Sequence, residues 1–192
     1  MGAEQASERI VRLPRAGPLA RRRDAALIRE AQRGSTDALE ELFRRHWRRA
    51  HRAAFLVVHD SAAAEDIAQE AFLSAIRALD RFDRRRPFGP WLHRITVNRS
   101  IDFARARALR GEASLPESAA AAAPEANAIS GELMSALADL PPEFRAVVVL
   151  RYVLEYTPGE IGEMLDLPRG TVNSRLRRGL DRLRPAIEEE PR

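Results

Sequence analysis

Three acids stand close together in the chain, Glu65, Asp66 and Glu70, and four histidines are scattered through it, His46, His51, His59 and His93. Carboxylates at that spacing on a helix could serve a di-metal centre, but such a site needs a Glu-x-x-His partner, and none exists here. The histidines fall in arginine-rich or apolar stretches, where a surface or packing role is the usual one. No Ser, His and acid spacing points to a hydrolase, and no Gly-rich loop points to nucleotide binding. The chain has no Cys, which removes disulfides, thiolate zinc sites and cysteine catalysis together and fits a reducing cytosol. No catalytic residue, metal site or cofactor is expected, and the chain reads as a non-enzyme.

What remains to be read is the distribution of charge. All 32 basic residues are Arg, and the net charge of +4 matters less than its distribution. Residues 60 to 80 hold five acids and one Arg, residues 81 to 110 nine Arg and two acids, and residues 169 to 184 six Arg and one acid. The charge is blocked, not mixed, and the two basic blocks sit in different halves of the chain, the first beside an acidic segment.

The elements that must carry these blocks read as helices. Residues 1–23 have no apolar run suited to a signal sequence and read as a flexible basic arm. Asp24 to Arg33 predicts a short helix stopped by Gly34. Ser35 or Thr36 then caps a helix with the inward stripe Leu39, Leu42, Phe43, Ala50, Ala53 and Val57. Asp60 or Ser61 caps the next, whose inward stripe is Ala64, Ile67, Ala68, Ala71, Phe72, Ala75, Ile76 and Leu79. Opposite that stripe stand Asp66, Glu70, Leu73 and Arg77, flanked by Gln69. A basic loop, Arg81 to Pro87, leads to a helix from near Pro90 through Trp91, Ile95, Asn98 and Asp102.

Residues 111–128, with Glu112, Glu117, Glu125 and the run Ala119 to Ala123, read as a flexible acidic linker. It separates a domain over 24–110 from a second over 129–185, with a tail at 186–192. In the second, Pro141 ends one helix, Pro142 starts another, and Thr157-Pro158-Gly159-Glu160 is a capping box. Asp166 suits a left-handed turn before a last helix, from about Pro168 to Leu183, that turns Val172, Leu176, Leu180 and Leu183 inward. The pattern is a helix-turn-helix, with Ser174, Arg177, Arg178 and Asp181 on the outer face and Thr171 and Asn173 near its start. A solvated helical hairpin with a basic face shares these features.

Two stretches resemble the extracytoplasmic-function sigma factors, the two-domain members of the sigma-70 class. Asp66-Ile67-Ala68-Gln69-Glu70-Ala71-Phe72, with Trp91-Leu92-His93-Arg94-Ile95-Thr96-Val97-Asn98 and Asp102, is similar to region 2. Leu140-Pro141, Arg145, Leu150-Arg151-Tyr152, Glu160-Ile161 and the run Pro168 to Arg178 are similar to region 4. Gly162 stands where the family usually has Ala, and Asn173 and Arg177 where a basic and often an aromatic residue is expected.

The resemblance implies an all-α fold of two small helical domains on a flexible linker, the second a helix-turn-helix, acting in the cytoplasm. Its partners would be core RNA polymerase, gripped by Asp66, Gln69, Glu70 and Leu73, and promoter DNA. Phe82 and Asn98 would surround a flipped-out base of the -10 element while Arg84, Arg85, Arg86, Arg94 and Arg99 track the strand. Arg169, Thr171, Asn173, Ser174, Arg175, Arg177 and Arg178 would meet the -35 duplex. Ser174 and Arg178 are expected at or near bases, Asn173 at an adenine, and Arg175 or Arg177 on phosphates. Members of the family often have an anti-sigma partner; no membrane insertion is implied. A helix-turn-helix regulator independent of polymerase, or a helical adaptor without a DNA role, would share parts of this pattern.

Overall fold

A computed structural model describes residues 17–111 and 131–188; the expected arm over 1–16, nearly all of the linker and the end of the tail lie outside the described residues. Among the described residues every regular element is helical.

Local capping chemistry sets the boundaries. Helix α1, Pro18–Ala31, starts on a first-turn proline, and Gly34 at φ 93° turns the chain out of it. The helix therefore begins six residues before Asp24, and the basic run Arg21-Arg22-Arg23 is helical and not part of an arm. Burial of Ile28 and Ala31 anchors it, and Asp24 extends the tie by accepting from Arg45 and pairing with His46, each at 3.0 Å. Helix α2, Thr36–Val58, is capped by the Ser35 hydroxyl, which accepts from the Ala38 amide at 3.2 Å. It ends in left-handed His59, φ 53°. Helix α3, Ser61–Arg77, is capped by Asp60, which accepts from the Ala63 amide at 2.9 Å. A 3-10 turn, Leu79–Arg81, leads through the basic loop to α4, Phe88–Leu109.

The second half opens with α5, Gly131–Ala138, and α6, Pro142–Val148, which runs into a π-helical turn, Val149–Val153. Helix α7, Pro158–Leu165, has its capping box formed in both directions between Thr157 and Glu160. Asp166, φ 55°, makes the left-handed turn before α8, Arg169–Glu188. Helix α8 continues past Leu183 and through Pro185, and buried Ile187 anchors the extra turn.

Helix α2 is the hub of the first half, with α1, α3 and α4 packed around it. Ile28, Leu42, Phe72, Leu79, Phe82, Phe88 and Leu92 form one apolar cluster there. The other cluster ignores the boundary between the halves: Val57, Ile67, Val97 and Ile101 pack into the same core as Leu133, Leu137, Val147, Leu150, Ile161 and Leu183. A helical unit of some 55 residues buries too little surface to be comfortable alone, and each large apolar side chain taken out of water adds roughly 1.5–3 kcal/mol. Arg145 fastens the join, donating to the carbonyl oxygens of Val57 and Ala138, each at 2.5 Å, and of Leu140 at 2.8 Å. Burial pulls this guanidinium down to about 10, with Asp139 opposing, so it stays charged at neutral pH.

Candidate nucleic-acid and polymerase interfaces

The outward face of α3 is built by the alternation that its core stripe imposes. Ala64, Ile67, Ala68, Ala71, Phe72 and Ala75 are buried, so Asp66, Gln69 and Glu70 stand in solvent with Leu73, 44% exposed, among them. Two residues expected inward are not. Ile76 is 42% exposed and Phe43 of α2 is 39% exposed, because each sits at the margin of its helix's apolar stripe. Phe43 stacks on Trp47 and tilts against Phe72, both with ring centres 4.8 Å apart. The face thus carries Leu73, Ile76 and Phe43 in an acidic and amide border, more apolar surface than Leu73 alone supplies.

The first basic block divides by exposure. Arg84, Arg85, Arg86, Arg94 and Arg99 are all exposed, with the Arg85 amide donating to Asp83 at 2.9 Å to shape the loop. Arg99 reaches back to α3, donating to the Ser74 hydroxyl at 2.7 Å and lying 3.9 Å from Glu70, so the basic block and the acidic face are mechanically linked. Phe82 is placed differently from its exposed neighbours. Only 8% exposed, it packs 4.5 Å from Trp91 and 6.0 Å from Phe88, the loop anchor of an aromatic cluster. Asn98 is half-buried and donates to the Met164 carbonyl of α7 at 3.3 Å.

On α8, Val172, Leu176, Gly179 and Leu183 are buried, which turns Arg169, Asn173, Arg177 and Arg178 to solvent, with Thr171, Ser174 and Arg175 at the edges. Gly179 lets α8 pack closely on α6: a Cβ there would lie 3.0 Å from Val148 Cγ2, which would have to give by a few tenths of an ångström. Arg182 covers the ring of Phe144 at 5.7 Å and Arg184 pairs with Asp181 at 3.0 Å. That leaves the N-terminal half of the helix as the open basic face. Among the described residues there is no cluster of His, Cys and acidic groups suited to a metal, and no helix is long and apolar enough to cross a membrane.

A helix-turn-helix with a free basic face, joined to a helical unit that separates an acidic-apolar surface from an arginine-rich one, is the architecture of a DNA-binding transcription factor with a protein partner. The comparisons with known proteins agree. A family model described as sigma-70 region 2 matches residues 42–110, and one described as sigma-70 region 4 matches residues 136–185. The ECF RNA polymerase sigma factor SigW of Bacillus subtilis is 30% identical over 182 residues, 84% of this chain and 95% of SigW. The RNA polymerase sigma factor CarQ of Myxococcus xanthus is 35% identical over 164 residues, 81% of this chain and 92% of CarQ. The solved structure of CnrH in complex with the cytosolic domain of CnrY superposes with a TM-score of 0.66 at 28% identity, covering 88% of this chain and 99% of CnrH.

The chain belongs to the sigma-70 family, among its extracytoplasmic-function members. It is an RNA polymerase sigma factor, binding core polymerase and directing initiation at promoters, in a family of factors that are not themselves enzymes.

Proposed function

We propose that the three surfaces divide the work of initiation. The face of α3 with Asp66, Gln69, Glu70 and Leu73 docks on core polymerase. The α8 face with Arg169, Thr171, Asn173, Ser174, Arg175, Arg177 and Arg178 reads the -35 duplex. The loop and α4 residues Phe82, Arg84, Arg85, Arg86, Arg94, Asn98 and Arg99 take the unpaired -10 strand. The single observation that supports this most is the segregation of charge on the first half: acids ring the exposed apolar side chains of α3 while five arginines stand exposed on the loop and α4. A phosphate-binding surface excludes acids, and a docking anchor is an apolar side chain in a polar border.

In this reading residues 24–110 and 129–185 are the two functional units, and the chemistry of RNA synthesis belongs to the polymerase. Cytoplasmic residence follows from that partnership. A regulatory anti-sigma partner is also proposed; CnrH, to which this chain is similar, was solved in complex with the cytosolic domain of CnrY. Transcription in vitro with core polymerase and a genomic fragment library tests the whole scheme. Promoter-specific transcripts are expected from the wild type, and Asn98→Ala should lose open complexes on duplex promoters while keeping core binding. Unchanged open-complex formation by Asn98→Ala would remove that residue from the strand path.

A further inference from the structure

A cavity of about 670 Å³ lies where α1, α2 and the start of α4 meet, with Tyr156 joining its lining from across the seam between the two halves. That volume falls inside the range of about 300–1,000 Å³ typical of small-molecule sites. Its charge is one-sided: the guanidinium groups of Arg21, Arg23, Arg45 and Arg49 stand round it against the single carboxylate of Asp24. Both oxygens of that carboxylate are engaged, one by Arg45 and the other by His46, each at 3.0 Å. None of these residues belongs to the polymerase face, the -35 helix or the -10 strand path proposed above.

The backbone adds to the same sign. Two helices begin at the cavity, α1 after Gly17 and α4 after Pro87, each without a side-chain cap and without an acid in its first turn. Leu19, Ala20 and Gly89 lie in those first turns and line the cavity. A helix supplies no acceptor of its own for backbone N–H groups at such positions, which is why helix N-termini hold anions.

His93 points to a ligand independently. It is 2% exposed, lines the cavity, and meets the Tyr156 hydroxyl through Nδ1 at 2.8 Å. Its Nε2 is buried with no hydrogen-bond partner among the described residues. Burial, with the charges of Arg49 and His46, holds the ring well below its ordinary value, so the imidazole carries one proton at neutral pH. With the Tyr156 hydroxyl donating to Nδ1, that proton sits on Nε2, a buried donor without an acceptor in an arginine-lined wall. The oxygen of a bound anion would satisfy it.

We propose that this cavity is a binding site for a small molecule carrying two or more linked phosphate groups. Guanidinium forks and helix N-terminal amides are the groups that recognise phosphate oxygens. Exposed Arg21 and Arg23 stand at the mouth and half-buried Arg45 and Arg49 deeper, so the positive charge extends further than one phosphate reaches. A linked pair or triplet matches both that extent and the room. Occupancy would tie α1 to α2 and α4 beside the basic loop, giving the factor a small-molecule input separate from any protein partner.

Isothermal titration of the full-length protein with tripolyphosphate should show a single saturable site, and the ligand should raise the melting temperature. Arg21→Gln with Arg23→Gln changes only exposed side chains and should weaken this binding about tenfold or more while sparing core-polymerase binding. Arg84→Gln with Arg85→Gln removes the same charge outside the cavity and should leave the affinity within about twofold. The His93 Nε2 resonance should move in the same titration. Absence of saturable binding, equal loss from the two arginine pairs, or an unmoved His93 resonance would each overturn the site. A single-stranded oligodeoxynucleotide that displaces tripolyphosphate and binds more tightly through Arg21 and Arg23 would overturn the small ligand in favour of a strand phosphate.

Discussion

A Cβ built on Gly162 would stand 2.7 Å from the carbonyl oxygen of Leu167. The turn between α7 and α8 closes on that glycine: the Leu167 amide donates to the Gly162 carbonyl at 2.9 Å while Asp166 takes the left-handed conformation. Close approach, and not backbone freedom, is therefore why glycine stands where the family usually has alanine. Gly162→Ala gains about 1 kcal/mol of helix propensity but forces backbone apart at a cost of about 1–3 kcal/mol, so the variant should be less stable. A urea midpoint equal to or above that of the wild type would contradict this.

Leu73→Glu and Asp66→Arg should abolish binding to core polymerase and leave the melting temperature nearly unchanged, since both side chains face solvent. Leu79→Glu, at a position only 4% exposed, is the contrast and should unfold the first half. Polymerase pull-down paired with thermal denaturation separates the cases. Wild-type affinity in both surface variants would dismiss the α3 face as the docking site.

On the recognition helix, Arg178→Ala should weaken binding to the cognate promoter by about 1–3 kcal/mol and relax preference at one base position. Arg177→Ala should weaken all sequences alike and lower the salt dependence. Binding measured on a randomised -35 duplex at two salt concentrations distinguishes a base contact from a phosphate contact, and uniform weakening by Arg178→Ala would reassign it to phosphate.

The buried histidines make the fold acid-sensitive. Burial, aided by the Arg145 charge, pulls His59 down to about 3, and burial with the charges of Arg49 and His46 holds His93 well below its ordinary value. Both groups bind protons more readily when unfolded, so their contribution is fully present above about pH 6.5 and is lost as pH falls below it, in the case of His59 down to about 3. Each should add a slope of up to about 1.4 kcal/mol per pH unit in that window. Asp24 acts lower down: burial tends to raise its carboxyl, but His46 and Arg45 outweigh that and depress it, so its share is lost only as pH falls below 3.8. His59→Asn keeps a side chain suited to the left-handed backbone and should flatten the stability profile between pH 7 and 5. Parallel profiles for variant and wild type would mean His59 does not titrate on unfolding.

What was legible in the sequence was local. Ser35, Asp60, Thr157 with Glu160, and Asp166 act within one turn of themselves, and each sits where its side-chain chemistry places it. Helical periodicity likewise put Leu73 outward and Val172 and Leu176 inward. Stripe margins were harder. Phe43 and Ile76 satisfy the apolar spacing yet lie half out of the core, since spacing gives an angle and not the width of the partner helix. The arginines at 21 to 23 read as solvated coil because the signal that makes them helical, Asp24 bound to Arg45 and His46, is a contact across more than twenty residues. The seam was invisible for the same reason: nothing local tells Val57 or Ile101 that Leu133 and Leu150 will cover them.

On the proposed assignment of Phe82 to the -10 strand, the aromatic cluster around it makes the loop optically self-reporting. Trp47 and Trp91, the only two tryptophans, both lie in the first half, and Trp91 has Phe82 as its nearest ring partner, at 4.5 Å. For Phe82 to receive an unpaired base it must leave that partner. The withdrawal would change the polarity around the indole, so Trp91 emission in a Trp47→Phe background should track strand capture in real time without any attached dye.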